Sequence, residues 1–254
     1  MSMKALVTGA SSGIGWHFAN LLSKEGYDLV ITSRDFDRLN HIATEFKDKY
    51  QNQIEVIAAD LTTENGIQQI EDRLRSGDID VLINNAGYGL NKPFSSSELV
   101  DEIKILKILC EAPMRLAHSV LPSMIKNNVG IIINVSSVAA WITGGHYSAM
   151  KSYLMVLSES LHTELADTAI KVTSLAPGFT HTEFHQRGKM KMDSLPKFMW
   201  LHADNVVITA WNDAKAGKAI SIPGRQYKAI YLLTRFAPRN LVRSMGFSLR
   251  RKQR

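Results

Sequence analysis

The sequence has one cysteine, seven prolines and no long hydrophobic run among its 254 residues. Because Cys110 has no partner for an internal disulfide, a reducing compartment is favoured, and no hydrophobic run reaches membrane-spanning length. The first predicted strand leaves no room for a secretion signal, so we expect a cytoplasmic protein. With 45% hydrophobic residues the chain can bury a full core. We predict a single domain over residues 1–225, followed by a basic C-terminal tail over residues 226–254.

A glycine-rich segment follows the hydrophobic run at residues 4–7 and precedes a helical pattern. It reads Gly9-Ala10-Ser11-Ser12-Gly13-Ile14-Gly15. Glycine at such a bend lets the backbone approach a pyrophosphate, which binds free N–H groups at a helix N-terminus. The spacing differs from the usual G-x-G-x-x-G and by itself also fits an ordinary loop. Together with the segments that follow, it predicts a dinucleotide-binding turn.

Seven strand-like runs alternate with helical patterns, which is typical of repeated βα units. The runs are continuously hydrophobic, as expected for strands covered on both faces of a parallel sheet. They are residues 5–8, 29–33, 54–58, 81–84, 131–135, 172–175 and 219–222. We predict a Rossmann-type, doubly wound α/β fold with a seven-stranded, mostly parallel sheet and helices on both faces. Ligands of such sheets bind beyond the carboxyl ends of the strands.

The residues after the second and third predicted strands suit a dinucleotide. Ser33 and Arg34 offer donors and positive charge to a 2′-phosphate, where a carboxylate would favour a free ribose. This predicts NADP(H) in preference to NAD(H), although Arg34 also fits a surface residue paired with Asp35 or Asp37. Asp60 fits either a hydrogen bond to adenine or a helix N-cap.

The fourth strand is followed by Asn84-Asn85-Ala86-Gly87. Its small residues allow the backbone to approach a cofactor closely. The two asparagine amides fit equally well a structural role that ties neighbouring strands together.

Tyr147 and Lys151 lie four residues apart at the start of a predicted helix, so they share one face. An ammonium beside a phenol favours the phenolate and is expected to lower the pKa of Tyr147 from its ordinary value near ~10. A hydroxyl at the end of the fifth strand, with Ser137 as the candidate, could hold a substrate oxygen near the phenol. This pattern predicts acid–base chemistry at a carbonyl or alcohol.

Five ordered motifs resemble those of the short-chain dehydrogenase/reductase family over roughly residues 4–185. They are the glycine-rich turn, Asn84 to Gly87, Ile133-Asn134-Val135-Ser136-Ser137, Tyr147-x3-Lys151 and Pro177-Gly178-x3-Thr182. The resemblance implies that Tyr147 is the catalytic acid/base and that Ser137 orients the substrate oxygen. It also implies that Lys151 binds the nicotinamide ribose and lowers the pKa of Tyr147.

The resemblance further implies a nicotinamide cofactor and the residues that contact it. The pyrophosphate and ribose would be contacted by Gly9, Ser11, Ser12, Gly13 and Ile14, and the 2′-phosphate by Arg34. The adenine would be contacted by Asp60 and Leu61, and the adenosine ribose by Asn85. Ala86 and Gly87 would lie close to the cofactor, and Pro177, Gly178 and Thr182 would lie beside the nicotinamide. A dimer or tetramer built on the helices that begin near Ala112 and Tyr147 is implied as well.

Two departures from the family pattern lie at the expected site. Leu109 stands where the family usually has an asparagine that holds a water linking the lysine to solvent, so turnover could be slow. Nine residues, Val138 to His146, separate Ser137 from Tyr147, where the family usually has twelve. The tighter loop leaves open whether Ser136 or Ser137 faces the substrate, and it brings His146 beside Tyr147.

Residues 179–200 are rich in methionine and aromatic side chains without firm periodicity, which suits a lid over an apolar substrate or a plain cap on the core. The histidine pair His181 and His185 within this segment lacks further ligands in register, so we expect no metal site.

The basic residues are concentrated at the C-terminus. Residues 215–254 contain eleven lysines and arginines and no acidic residue. Residues 1–214 contain the other 19 basic residues and all 24 acidic residues, so they carry a net charge of −5. Hydrophobic residues at helical spacing, interrupted by Pro238, predict two short amphipathic helices that could contact an anionic membrane peripherally. Packing over the substrate pocket or a partner subunit is the other interpretation. Nucleic acid binding lacks a stacking or groove-reading pattern, so we expect none.

The sequence thus predicts an NADP-dependent oxidoreductase that transfers hydride between the nicotinamide and an apolar carbonyl compound or secondary alcohol. The alternative is a catalytically weak NADP(H)-binding sensor or scaffold, which Leu109 motivates.

Overall fold

The computed structural model describes residues 2–90, 92–184 and 196–244. Within them seven strands form one sheet in the order β3-β2-β1-β4-β5-β6-β7, and every neighbouring pair is parallel. The strands are β1 Lys4–Thr8, β2 Asp28–Ser33, β3 Ile54–Ala58, β4 Val81–Asn84, β5 Gly130–Val135, β6 Ile170–Leu175 and β7 Ile220–Ser221. The predicted doubly wound fold is confirmed, with an all-parallel sheet in place of a mostly parallel one.

The described residues include eight α-helices of at least eight residues. They are α1 Gly13–Lys24, α2 Phe36–Tyr50, α3 Glu64–Leu74, α4 Leu99–Leu106, α5 Ala112–Asn127, α6 His146–Glu164, α7 Ala203–Lys215 and α8 Arg225–Phe236. Helices α1, α2 and α7 pack on one face of the sheet, and α3, α5 and α6 pack on the other. None of the described helices is long and apolar enough to cross a membrane.

The continuous hydrophobic runs of the strands follow from this two-sided packing. In β1, Ala5 and Val7 point into the core on the α1 face, and Leu6 points into the core on the α3 face. All three side chains are fully buried. Because successive strand residues point to opposite faces, a strand between two helix layers has no polar side.

The predicted lid and tail are described only in part. Residues 179–184 and 196–200 belong to the described structure, whereas Met190, Met192 and His185 lie outside it, as do residues 245–254. The segment predicted as a tail begins within α8, which packs on the domain through Tyr227, 1% exposed. Residues 239–244 are also helical.

Candidate active site

A cavity of about 990 Å³ lies at the carboxyl ends of the strands. Every residue that the sequence predicts for the site lines it. These residues are Gly9, Ser11, Ser12, Gly13, Ile14, Arg34, Asp60, Leu61, Asn85, Ala86, Gly87, Ser137, Tyr147, Lys151, Pro177, Gly178 and Thr182. The volume is at the upper end of ligand pockets, which typically measure about 300–1,000 Å³.

The glycine-rich turn brings the N-terminus of α1 to this cavity. Gly9 has a φ of +66°, and a Cβ atom there would lie 2.9 Å from the Ala86 Cα atom. At Gly15 a Cβ atom would overlap the Gly9 carbonyl oxygen. Within the described structure no side chain caps the first turn of α1. Its N–H groups are therefore directed to a site suited to an anion.

The two asparagines after β4 tie the site together. The Asn85 side-chain amide donates to the carbonyl oxygens of Thr8 and Gly9, at 2.9 and 3.2 Å. The Asn84 amide donates to the Pro113 carbonyl oxygen and to Asn134 Oδ1. Both amides thus hold loop backbone and strand ends in place.

Arg34 is exposed, lines the cavity and forms no ion pair with the described residues. Asp35, its alternative partner, instead caps α2 by accepting from the Arg38 N–H at 3.0 Å. Asp60 is not an N-cap, since Thr63 caps α3. The Asp60 carboxylate accepts from the backbone N–H and hydroxyl of Thr62, at 2.9 and 2.8 Å.

The structure distinguishes the two serines that follow β5. Ser136 is 2% exposed, and its hydroxyl donates to the Lys151 carbonyl oxygen at 2.8 Å. Ser137 lines the cavity and forms a side-chain hydrogen bond with Tyr147. Ser137 is therefore the serine placed next to the phenol, while Ser136 fastens helix α6 to the end of β5.

Lys151 is buried beside Tyr147. Its ammonium donates to the Val135 carbonyl oxygen at 2.7 Å and lies 5.7 Å from the centre of the Tyr147 ring. Burial lowers the pKa of Lys151 to about 8. The expected geometry of one shared helix face is therefore present.

The expected lowering of the Tyr147 pKa is wrong for this structure. Burial is the largest influence and raises the pKa of Tyr147 well above its ordinary value, while the hydrogen bond with Ser137 lowers it in part. Desolvation disfavours the phenolate, and the ammonium lies beside the ring. The phenol is therefore protonated at neutral pH.

Leu109 lies in a π-helical turn, Lys107–Glu111, that joins α4 to α5. It is 1% exposed and packs with Met150 and Tyr147. A Cβ atom on Gly87 would lie 2.5 Å from the Leu109 side chain. Hydrophobic packing against the loop after β4 thus occupies the position where the resemblance implies an asparagine amide. A π-helical turn of this kind is frequent at functional sites.

The shortened loop between Ser137 and Tyr147 ends at a glycine, and a buried carboxylate contacts the residue that follows it. Gly145 has a φ of +86°, which side chains disfavour, and α6 begins at His146 directly after it. His146 Nδ1 lies 2.5 Å from the buried carboxylate of Glu102 on α4. Ser97 donates to the same carboxylate at 2.5 Å. His146, the residue before Tyr147, is thereby fixed to α4.

Sequence reasoning missed Tyr227 of α8. Its hydroxyl donates to the Met199 carbonyl oxygen at 2.5 Å and accepts from the Phe179 N–H at 3.0 Å. Gly178 packs directly under its ring. Tyr227 therefore joins the two described parts of the predicted lid, and no local motif around it indicates this contact.

Among the described residues no group of three or more His, Cys, Asp or Glu side chains is placed to hold a metal ion. Cys110 is buried, and burial raises its pKa to about 11, so its thiol is protonated.

The chain is similar to known proteins over most of its length. The family model described as short chain dehydrogenase matches residues 3–192. A serine 3-dehydrogenase of Agrobacterium fabrum is 35% identical over 190 residues, covering 72% of this chain and 74% of the relative. A short-chain dehydrogenase from Sphingobium yanoikuyae, in complex with NADPH, superposes with a TM-score of 0.86 at 30% identity and covers 94% of each chain.

A second solved structure is similar over nearly the same length. It is a bulky-bulky ketone specific alcohol dehydrogenase from Comamonas testosteroni, with a TM-score of 0.79 and 28% identity, covering 93% of this chain and 95% of that one.

Replacing Lys151 with methionine tests the burial of its ammonium. The folded pKa is about 8, whereas an unfolded lysine titrates near ~10.4. Between these values the unfolded chain binds more protons, so the free energy of unfolding of the wild type rises with pH relative to that of Lys151→Met. We expect a relative gain on the order of 1–3 kcal/mol, measured by urea unfolding at about pH 7 and about pH 10.

Lys24→Met, on the exposed end of α1, is the matched control and should follow the wild type across this range. Equal pH dependence in the wild type and Lys151→Met would contradict the lowered pKa.

Proposed function

The chain belongs to the short-chain dehydrogenase/reductase family of oxidoreductases, and from that premise we propose that it transfers hydride between NADP(H) and the carbon of an apolar ketone or secondary alcohol. One observation carries the proposal: Ser137, Tyr147 and Lys151 meet in the cavity that the glycine-rich turn also lines.

The proposed roles follow from the contacts of each side chain. When bound, NADPH supplies the hydride. Ser137 hydrogen-bonds the substrate oxygen and holds it at the phenol. Tyr147 gives its proton to that oxygen, so C=O becomes CH–OH, and the reverse transfer applies to oxidation. Lys151, charged below a pH of about 8, stabilises the phenolate that remains.

The raised pKa of Tyr147 is compatible with this role. It keeps the phenol protonated at neutral pH, which is the form an acid requires. The Ser137 hydrogen bond acts in the opposite direction and favours the phenolate once the proton has left.

The preference for NADP(H) over NAD(H) rests on Arg34. Its guanidinium is exposed at the cavity, and no described carboxylate pairs with it. The neighbouring Asp35 forms no ion pair with Arg34 among the described residues, and one of its carboxylate oxygens caps α2. The Sphingobium structure, which is similar over 94% of the chain, contains NADPH.

The substrate is proposed to be apolar because of the side chains beyond Tyr147. The phenol ring lies 6.2 Å from that of Phe184. Further apolar side chains line the same cavity, namely Leu90, Ile142, Phe198, Met199 and Ile230. The similar Comamonas enzyme is named for bulky-bulky ketones, which fits a wide apolar cavity.

A catalytically weak sensor or scaffold remains the second candidate. Leu109 favours it, because the side chain at this position has no hydrogen-bonding group and is 1% exposed. The two candidates share cofactor binding and differ only in turnover.

Tyr147→Phe separates the two candidates. We expect the Kd of NADPH to stay unchanged and kcat toward a ketone with two bulky apolar substituents to fall by roughly 10²–10⁴-fold, since only the transferable proton is removed. Tyr153→Phe, an exposed tyrosine of the same helix, is the matched control and should keep full activity. NADPH binding with no turnover of any ketone by the wild type would instead support the sensor.

Arg34→Ala tests the cofactor preference. Loss of a charge-assisted hydrogen bond of about 1.5–3 kcal/mol should raise the Kd of NADPH roughly 10–100-fold. The Kd of NADH should change by less than about threefold. Both are measured by fluorescence titration, with Lys24→Ala as the control. Equal weakening for the two cofactors would count against a 2′-phosphate contact.

We also propose a homodimer or homotetramer. Oligomers are typical of the family, and three neighbouring helices expose large apolar side chains. These are Leu99, Val100, Ile103 and Leu106 of α4, Met114 of α5, and Tyr153 and Val156 of α6. Together they form a patch of the kind that marks protein interfaces.

Val156→Glu should lower the mass of the oligomer in analytical ultracentrifugation, because it would bury a carboxylate in the contact. Ile208→Glu, at a similarly exposed position on α7, should leave the mass unchanged. A monomeric wild type would refute the proposal.

A further inference from the structure

Helix α8 has an inner side that belongs to the cavity. Tyr227 and Ile230 line the cavity, and the Tyr231 ring packs on Trp141 at 4.9 Å. Gln226 donates to the Phe198 carbonyl oxygen at 3.1 Å, which ties the start of α8 to the described end of the lid. Phe198 is 69% exposed and also lines the cavity. Among the described residues, helix α8 and Phe198 therefore border an opening between cavity and solvent.

The outer side of α8 is apolar where a solvent-facing helix is normally polar. Leu232, Leu233 and Phe236 are 56%, 54% and 81% exposed. Leu241, in the helical segment that follows, is 49% exposed. Single exposed hydrophobic residues are ordinary, but several within one short stretch indicate a contact surface.

Cations surround these apolar side chains. The exposed basic residues of the stretch are Arg225, Lys228, Arg235, Arg239 and Arg243. The sequence has no acidic residue after Asp213. None of the five cations forms an ion pair within residues 2–90, 92–184 and 196–244. We call the five cations, together with Leu232, Leu233, Phe236 and Leu241, the basic apolar face.

Charge decides which partner this face fits. A two-fold contact with a second copy would set the same cations against each other. Nucleic acid would attract the cations but would leave the leucines and Phe236 without a matching surface. An anionic lipid bilayer offers negative headgroups to the cations and acyl chains to the apolar residues. The net charge of −5 on residues 1–214 would turn the rest of the molecule away from such a surface.

We propose that the basic apolar face docks the protein on an anionic membrane, with the opening between α8 and Phe198 turned toward the lipid. An apolar substrate dissolved in the bilayer then reaches the cavity without crossing bulk water. Docking is independent of the proposed function, whereas substrate entry from the lipid depends on it.

Vesicle sedimentation with the full-length protein tests docking. We expect the wild type to pellet with phosphatidylcholine vesicles that contain phosphatidylserine, and at least roughly tenfold less with phosphatidylcholine alone, because several cations act together. Raising the salt concentration should weaken binding through screening. Failure to pellet with the phosphatidylserine vesicles, or equal pelleting with both vesicles, would overturn the proposal.

Two double variants test the face itself. Leu232→Glu with Phe236→Glu removes the apolar contact, and Lys228→Glu with Arg235→Glu removes the charge. Each should lower partitioning at least roughly tenfold, because all four side chains are exposed. Ile208→Glu and Lys126→Glu, at exposed positions on α7 and α5, are the matched controls and should bind as the wild type does.

NADPH titration and turnover distinguish the possible failures. Unchanged Kd values of NADPH in all variants show that the fold is intact. Reduction of a water-soluble ketone should be unchanged in the double variants, while kcat/KM for a ketone dissolved in vesicles should fall with binding. Variants that pellet like the wild type would refute docking. A wild type that binds vesicles but reduces no ketone would refute the proposed function alone.

Discussion

The burial of the Lys151 ammonium is the constraint on which the site depends. The side chain is 5% exposed and donates to the Val135 carbonyl oxygen at the end of β5. Burying a charged ammonium costs free energy and therefore favours the neutral amine, which lowers the pKa of Lys151 to about 8. The Ser136 hydroxyl and the Asn134 amide bind the same helix, at Lys151 and at Ser158. With α6 fixed at two turns, Tyr147 one turn before Lys151 is placed in the cavity.

Both departures from the family pattern are compensated by contacts across the cavity wall. Leu109 has no amide to offer, so the π-helical turn that carries it packs through hydrophobic contacts on Gly87 and Met150. At the end of the shortened loop, His146 lies 2.5 Å from the buried carboxylate of Glu102 on α4. The hydrophobic side chains of Leu109 and Met150 pack against Tyr147, and the burial of its phenol raises its pKa.

The sequence predicts the features of this molecule that depend on local pattern. Hydrophobic runs located all seven strands to within two residues, and strand ends located the cavity residues, since parallel topology brings them to one edge. Contacts between segments that are distant in the chain could not be predicted from the sequence. Nothing near Tyr227 indicates that its hydroxyl joins residues 179 and 199, and the pKa of Tyr147 depends on burial that spacing alone cannot show. The choice between Ser136 and Ser137 likewise required the loop in three dimensions.

The strand order also separates Arg34 from helix α8. Arg34 follows β2 and α8 follows β7, and these strands are five positions apart in the sheet. At about 4.8 Å per strand the separation is about 24 Å, three times the screening length of ~8 Å at physiological salt. Arg34 and the cations of α8 are therefore screened from each other in solution. The proposed 2′-phosphate contact and the proposed membrane contact would accordingly use different cations.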